Sequence, residues 1–527
     1  MTIFAQFFGA TREVTGSFHV IHTDKSRILL DCGLFQGRRK ETEAKNRALP
    51  VDPAILTNCV LSHAHLDHSG RIPMLCKGGF TGRVFATNTT ADACAYLLRD
   101  SATIQEHDAA YLNYKIVRNF LGGVTEGGPK MPDAKRREVK ALLKSSEAKV
   151  NEEVVARLQA QHHLERINPL YSMEDVEACL PCLTGVPYRQ TFPVAEDVDC
   201  TLYDAGHILG SAMVLLTVTS GRGRKNILFS GDVGRFGKPI VRDPTLAFAE
   251  EHQDIDLMIM ESTYGDRHHD SDSNLKERLQ QVLEATFARG GSVIIPAFAY
   301  GRTQELIYFL HELYMEKAVR QVPIYIDSPL AINITNVFGR HRDDYDTDTW
   351  RDFLKDGVNP FAFEQLQFVE SVEASMAINR DQKSHIVIAG SGMCEGGRVL
   401  HHLRHKIHND KHTILIVGFM GQNTFGHLLQ EKAAAYEAKG RKGPAPVVRF
   451  FNKEYPLRAR VVTLDGFSAH GDYEELQRVI RESNLRVKKI ALVHGEEEQI
   501  FAFEKRLQEA GYPVTVPRQG ESAVVEE

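Results

Sequence analysis

The chain has 527 residues, 63 Lys or Arg against 69 Asp or Glu for a formal net charge of −6, with 43% of residues hydrophobic and 25% charged. That composition excludes wholesale disorder, collagen and coiled coil, and the length is a prior for about three domain-sized units. No apolar run reaches the about 20 positions that cross a membrane, and Met1 to Gly16 has no basic flank leading into an apolar block, so a cytoplasmic protein is expected.

Short apolar, β-branched runs recur between glycine-rich turns at 27–30, 59–61, 199–203, 226–229, 257–260 and 489–493, with helical spacing between many of them. Alternation of this kind reads as an α/β fold. From about 107 to 166 the pattern turns polar and helical, with Val139, Leu142, Val150, Val154 and Leu158 as a broken apolar stripe. Between Asp133 and Arg166, eight basic side chains meet six acidic ones. A solvated helical insertion fits this balance, with Lys135-Arg136-Arg137 leaving a nucleic-acid arm as the alternative. The eight cysteines are scattered, so free thiols are expected, and Cys179-x-x-Cys182 lacks the second pair of a structural zinc site.

The most specific signal is Ser62-His63-Ala64-His65-Leu66-Asp67-His68-Ser69-Gly70, which follows a predicted strand. In an extended loop His63 and His65 point the same way and close on one ion, while Asp67 and His68, at the entry to a helix, turn toward a second. A histidine-rich surface loop is the plainer alternative. Imidazole with carboxylate suits zinc, and manganese or iron are compatible with such ligands. Further donors stand at other strand ends: Asp31, His207, Asp232, Glu261, His470 and His494. Singly each is a common turn residue; their repetition at strand ends points to one shared centre.

In order, Asp31, His63-x-His65-x-Asp67-His68, His207 and Asp232 resemble the metallo-β-lactamase superfamily, and Glu261, His470 and His494 resemble the further motifs of its β-CASP nucleases. Supporting blocks are Glu-Ser-Thr-Tyr-Gly-Asp-Arg at 261–267, Pro-Ala-Phe-Ala-Tyr-Gly-Arg-Thr-Gln-Glu at 296–305, Ile-Asp-Ser-Pro-Leu-Ala at 326–331 and Ala-Gly-Ser-Gly-Met-Cys-Glu-Gly-Gly-Arg at 389–398. Apart from the helical insertion, the chain is similar to bacterial and archaeal relatives of the nuclease subunit of the cleavage and polyadenylation specificity factor. The resemblance implies an αββα sandwich split in sequence, 1–266 and 456–527, around a β-CASP cap at 267–455. It implies two zinc ions: one held by His63, His65 and His207, the other by Asp67, His68 and His494, with Asp232 bridging and Asp31 orienting a ligand. His470, held by Glu261, would be the acid at the leaving group. Histidine at 494 resembles the RNA-processing branch, so single-stranded RNA is the expected substrate, cut by endonuclease or 5′ exonuclease action to a 5′-phosphate and 3′-hydroxyl.

The chemistry agrees with that implication. Water bridging two cations becomes hydroxide near neutral pH, and the same ions neutralise charge building on a phosphate. An imidazole kept protonated by a carboxylate serves the departing sugar oxygen. Within the cap, Gly390, Ser391 and Gly392 precede a predicted helix and offer backbone N–H groups to a phosphate, a tight turn being the alternative. Arg302 offers a fork of donors to the strand backbone, a surface position at a helix start being the alternative. His401, His402 and His405 read as a solvated helix face. A hydrolase of a small ester or thioester is the second functional reading, because the metal core serves several chemistries, and a large cap is its weakness. A scaffold with a decayed site is disfavoured because every expected ligand is present. Target choice is expected to rest on the cap or on partners, a second copy or a processing complex among them.

Overall fold

The computed structural model describes residues 2–37, 39–123, 131–144, 150–269, 274–418 and 420–526. Two seven-stranded sheets form its body. The first runs, edge to edge, Ser522–Glu526, Ile3–Gly9, Phe18–His22, Arg27–Leu30, Asn58–Val60, Val84–Thr87 and Leu183–Val186. The second runs Val514–Thr515, Ile490–Val493, Leu257–Glu261, Gly223–Phe229, Ala212–Ser220, Val198–Asp204 and Thr191–Ala195. Alternating burial along Ile3–Gly9 sends Ile3, Ala5 and Phe7 inward, where they join Leu30, Val60, Leu202, Val214, Ile259 and Val493 in one core between the sheets. Each of the larger side chains contributes about 1.5–3 kcal/mol when fully buried.

Helices cover both outer faces. Tyr473–Arg481 and Glu497–Glu509 bury Leu476, Val479, Phe503 and Leu507 against the second sheet. Ile72–Lys77, Met173–Cys179 and the first half of the 34-residue helix Asn88–Leu121 pack on the first. The layers are therefore αββα, as expected.

Between Leu257–Glu261 and Ile490–Val493, neighbouring parallel strands of the second sheet, the chain inserts a third sheet. Its six strands run Leu366–Phe368, Ile324–Ile326, Ile386–Ala389, Val293–Pro296, Thr413–Ile416 and Arg460–Thr463, every pair parallel. Runs such as Val293–Pro296, Ile386–Ala389 and Thr413–Ile416 are buried at every position, as a parallel sheet covered on both faces requires. The expected cap range, 267–455, reaches the hairpin Val447–Phe450 with Lys453–Pro456; Arg460–Thr463 then adds one more strand to the cap sheet.

The helix that enters the expected insertion at about 107 starts earlier in the chain. The helix begins at Asn88, where Thr87 caps it by accepting from Thr90 N–H at 3.1 Å. Its first half buries Ala93, Cys94, Leu97 and Leu98 against the sandwich; only beyond that does it leave the body. There Tyr114 and Val117 join Val139, Leu143 and Val155 in a small separate core. Leu142 is 49% exposed and Leu143 takes the buried place. Lys149 lies outside the described residues. Lys135, Arg136 and Arg137 are exposed on Asp133–Leu143. Among the described residues no helix is long and apolar enough to cross a membrane.

Candidate metal centre

The donors named from the sequence converge at one edge of the sandwich. Strand Arg27–Leu30 ends in Asp31, which takes left-handed backbone at φ 59°. Its Oδ1 accepts from Ser62 N–H at 2.8 Å, and its Oδ2 from Ser17 and Ser62 hydroxyls at 3.1 and 3.0 Å. The same Oδ2 stands 2.6 Å from His68 Nδ1. That contact fixes the ring and turns His68 Nε2 toward the centre. His63 and His65 follow strand Asn58–Val60, and Asp67 and His68 lie on the short helix Leu66–Ser69.

The second sheet supplies the rest. His207 lies in the loop after Val198–Asp204, held by its N–H to Ser211 Oγ at 3.0 Å. Asp232 follows Gly223–Phe229, Glu261 ends Leu257–Glu261, and His494 follows Ile490–Val493 at φ 52°. Backbone held in this sparsely populated region is a feature of functional sites.

Two sets of donors share no member, His63, His65, His207 and Asp232, and Asp67, His68 and His494; a third grouping, Asp232, Glu261 and His494, draws Asp232 and His494 from them. In the first, His63 Nε2 is 3.1 Å and His207 Nε2 3.3 Å from His65 Nδ1. In the second, His68 Nε2 is 3.2 Å from His494 Nε2, and Asp67 Oδ2 is 3.7 Å from His494 Nε2. Asp232 reaches both sets: Oδ1 stands 3.3 Å from His68 Nε2 and 3.5 Å from His494 Nδ1, Oδ2 3.5 Å from His63 Nε2 and 3.6 Å from His207 Nε2.

These spacings fit a metal. A tetrahedral dication with metal–nitrogen bonds of about 2.0–2.1 Å holds its ligand nitrogens roughly 3.3 Å apart. Imidazoles facing nitrogen to nitrogen satisfy one another poorly through protons, and buried Asp232 Oδ1 has no hydrogen-bond partner among the described residues. Burial, then the neighbouring His68, pushes His63 well below its ordinary pKa, and burial takes His65 down to about 4. His207 falls well below for the same reason, aided by His470. All three are therefore neutral donors at physiological pH. Burial would raise Asp232, but His494, His68 and His470 outweigh it and hold the carboxyl well below the usual range.

His470 stands beside both sets. Its Nδ1 is 3.2 and 3.3 Å from the two oxygens of Glu261, and its Nε2 is 3.9 Å from Asp232 Oδ2. Glu261 is fully buried and accepts from Val233 N–H at 2.5 Å and Thr263 N–H at 3.3 Å. Burial pulls the His470 pKa down, but the Glu261 and Asp232 carboxylates more than offset it and raise it to about 9. The arrangement sets an imidazole whose pKa its carboxylate neighbours raise beside the clustered histidine and aspartate donors.

The substrate-binding candidates lie at the carboxyl end of the cap sheet. Gly390, Ser391 and Gly392 follow Ile386–Ala389 and precede helix Arg398–Lys406. Ser391 N–H bonds Gly396 O at 3.1 Å, closing the loop on itself. Arg302 begins helix Arg302–Met315, paired with Glu305 and lying 5.5 Å over the Phe467 ring. The cap closes on the sandwich here: Tyr300, in the loop before that helix, has its ring 6.0 Å from that of His65 and donates its hydroxyl to Leu209 O.

Sequence reading missed Ser17, Ser62 and Thr263 as supports. Thr263 Oγ1 is 3.1 Å from His494 Nδ1; its place in the 261–267 block is the one signal that marks it. His402 reverses its expectation. It is fully buried, with Nε2 2.6 Å from Asp327 Oδ2, so this part of the helix face is not solvated.

Three family profiles match the chain: the metallo-β-lactamase superfamily over residues 11–84, the Beta-Casp domain over 303–429, and the Zn-dependent metallo-hydrolase RNA specificity domain over 454–517. Ribonuclease TTHA0252 of Thermus thermophilus is 33% identical over 98% of this chain and 99% of its own length. The transcription termination factor FttA of Methanosarcina mazei is 26% identical over 93% of this chain, which spans 66% of that factor's length. A solved protein of unknown function from Enterococcus faecalis covers 99% of the chain with a TM-score of 0.51 at 12% identity, a likeness of fold alone. With these relatives, and with its two ligand sets at the edge of an αββα sandwich beneath a parallel-sheet cap, the chain belongs to the β-CASP family of the metallo-β-lactamase superfamily and is a metal-dependent hydrolase.

Proposed function

We propose that the chain is a two-zinc ribonuclease that hydrolyses phosphodiester bonds of single-stranded RNA and leaves a 5′-phosphate and a 3′-hydroxyl. The observation that carries this reading is His470, braced by Glu261 and facing Asp232 beside two complete ligand sets. A departing sugar oxygen needs a proton, as does the alcohol of a small ester; the thiol leaving group of a thioester, with an ordinary pKa of about 8.5, has far less need of one. The ribonuclease among the relatives and the RNA specificity profile support the same substrate.

His63, His65 and His207 would hold one ion, Asp67, His68 and His494 the other, and Asp232 would touch both. Bound there, a pair of zinc ions supplies acidified water and positive charge opposite the phosphate, and manganese suits the same donors. Asp31 fixes His68 through Nδ1, so only Nε2 is presented to the centre. Glu261 accepts from His470 Nδ1–H, which leaves the proton on Nε2 to be given to the leaving oxygen. Arg302 and the 390–392 loop, at the carboxyl end of the cap sheet, would meet the strand's backbone.

The test is purified protein, analysed for metal, incubated with 5′-labelled RNA, matched DNA and a small thioester. Cleavage of RNA that stops with chelator and returns with zinc is the expected result. The product ladder separates attack within the chain from attack at the 5′ end. Intact RNA alongside hydrolysed thioester would overturn the proposal.

A further inference from the structure

Phe298 is 46% exposed, in the loop between Val293–Pro296 and helix Arg302–Met315. An exposed phenyl ring costs free energy unless something covers it, and the backbone that carries this one is tied down. Its carbonyl accepts from the Thr303 hydroxyl at 2.7 Å and from Thr303 N–H at 3.3 Å. The preceding residue, Ala297, donates its N–H to Ala389 O at 3.2 Å, tying the loop to the strand that leads into Gly390. The ring leans on Gly392: a Cβ there would lie 2.8, 2.9 and 3.0 Å from Phe298 Cδ2, Cε2 and Cγ. Only glycine at 392 lets the ring take this seat.

Two neighbouring features say what covers it. The ring adjoins the 390–392 loop, and Tyr300, two residues along the chain, has its ring centroid 6.0 Å from that of His65. The loop that carries Phe298 thus adjoins both the candidate phosphate loop and one of the clustered histidines. Aromatic rings that bind single strands work by stacking, which accepts any base because every base has a π face.

We propose that Phe298 is a strand-binding residue: it stacks a nucleobase of the single-stranded substrate while the adjoining Gly390–Gly392 loop meets that nucleotide's phosphate. This subsite rests on the ribonuclease reading above. It makes binding tolerant of sequence at that position and dependent on the base being present.

Binding is read separately from cleavage, so the two readings fail separately. Fluorescence anisotropy with a labelled RNA oligonucleotide, in chelator to prevent turnover, compares the unaltered protein with Phe298→Ala, Phe298→Leu and Phe298→Trp. Stacking is worth about 1–3 kcal/mol per base, so Ala and Leu should weaken binding about fivefold or more, and Trp should restore it. Leu keeps the bulk, which guards against a merely structural loss. In a set of oligonucleotides with one abasic position moved along the strand, the unaltered protein should lose affinity at one position and Phe298→Ala should lose nothing further there. In steady-state cleavage, KM should rise more than kcat falls. Equal affinity for unaltered protein, Ala and Leu, or abasic penalties that add fully to that of Phe298→Ala, would overturn the subsite even if the protein cuts RNA. Base-dependent binding through Phe298 without any cutting would instead overturn the ribonuclease reading alone.

Discussion

Two buried aspartates, each just past the end of a strand, one ringed by histidines and the other beside a single histidine, divide the molecule's polar interior into two kinds. Asp232, in the sandwich, meets imidazole nitrogens at 3.3 to 3.6 Å, and its Oδ1 has no hydrogen-bond partner among the described residues. Asp327, in the cap, accepts from Ser375 Oγ at 2.6 Å and Arg398 Nη1 at 2.7 Å, with His402 Nε2 at 2.6 Å. Burial would raise the Asp327 carboxyl, but His402, Ser375 and Arg398 bring it below its ordinary value. The first spacing leaves room for an ion between donors; the second is closed by protons. The two aspartates thus differ by about 0.7 Å in their nearest approach to a histidine nitrogen, and by the donors that satisfy Asp327 and leave Asp232 Oδ1 without a partner among the described residues.

The comparison breaks most sharply at Asp232. Asp232→Asn removes the charge shared by both ligand sets and should cost several kcal/mol of transition-state stabilisation, about 10³-fold in kcat or more, together with bound metal. A two-metal, fully active variant by plasma emission analysis and RNA cleavage would remove it from the centre. His470→Ala comes next: a loss of about 10²-fold or more with metal content intact. Unchanged turnover would end its role as acid. Asp31→Asn frees the His68 ring without touching an ion and should weaken metal binding about 10- to 100-fold, read by competition with a chromogenic chelator. The smallest effect on the centre belongs to Asp327→Asn. It should leave metal content unchanged and lower Tm, by about 2–4 °C for each kcal/mol lost, because Arg398 and His402 lose their buried counter-charge. Loss of metal in that variant would show that the two aspartates are not of different kinds.

The convergence of these donors was legible because their chemistry is local. Four donors fall within 63–68, and the others each close a short apolar run, so strand ends and ligands are found together. The cap network was not legible, because it pairs Asp327 with residues on two helices, Val372–Arg380 and Arg398–Lys406, that no spacing links to it. His402 was hidden among His401, Arg404, His405 and Lys406, although Val399, His402, Leu403 and Lys406 form one buried helical face. A face interrupted by polar residues looks solvated until its partners are known. The long helix shows a related limit. Its polarity rises near 107 because it departs from the sandwich there, whereas the helix itself begins at Asn88. Composition recorded the change of surroundings and not the start of the element.

The sheet order has a consequence for synthesis. His63, His65, His207 and Asp232 all precede the cap, whereas His470 and His494 follow it. A nascent chain leaving the ribosome amino end first therefore carries His63, His65, His207 and Asp232 long before His470 and His494, and the full cluster of donors is assembled only after the cap has been made.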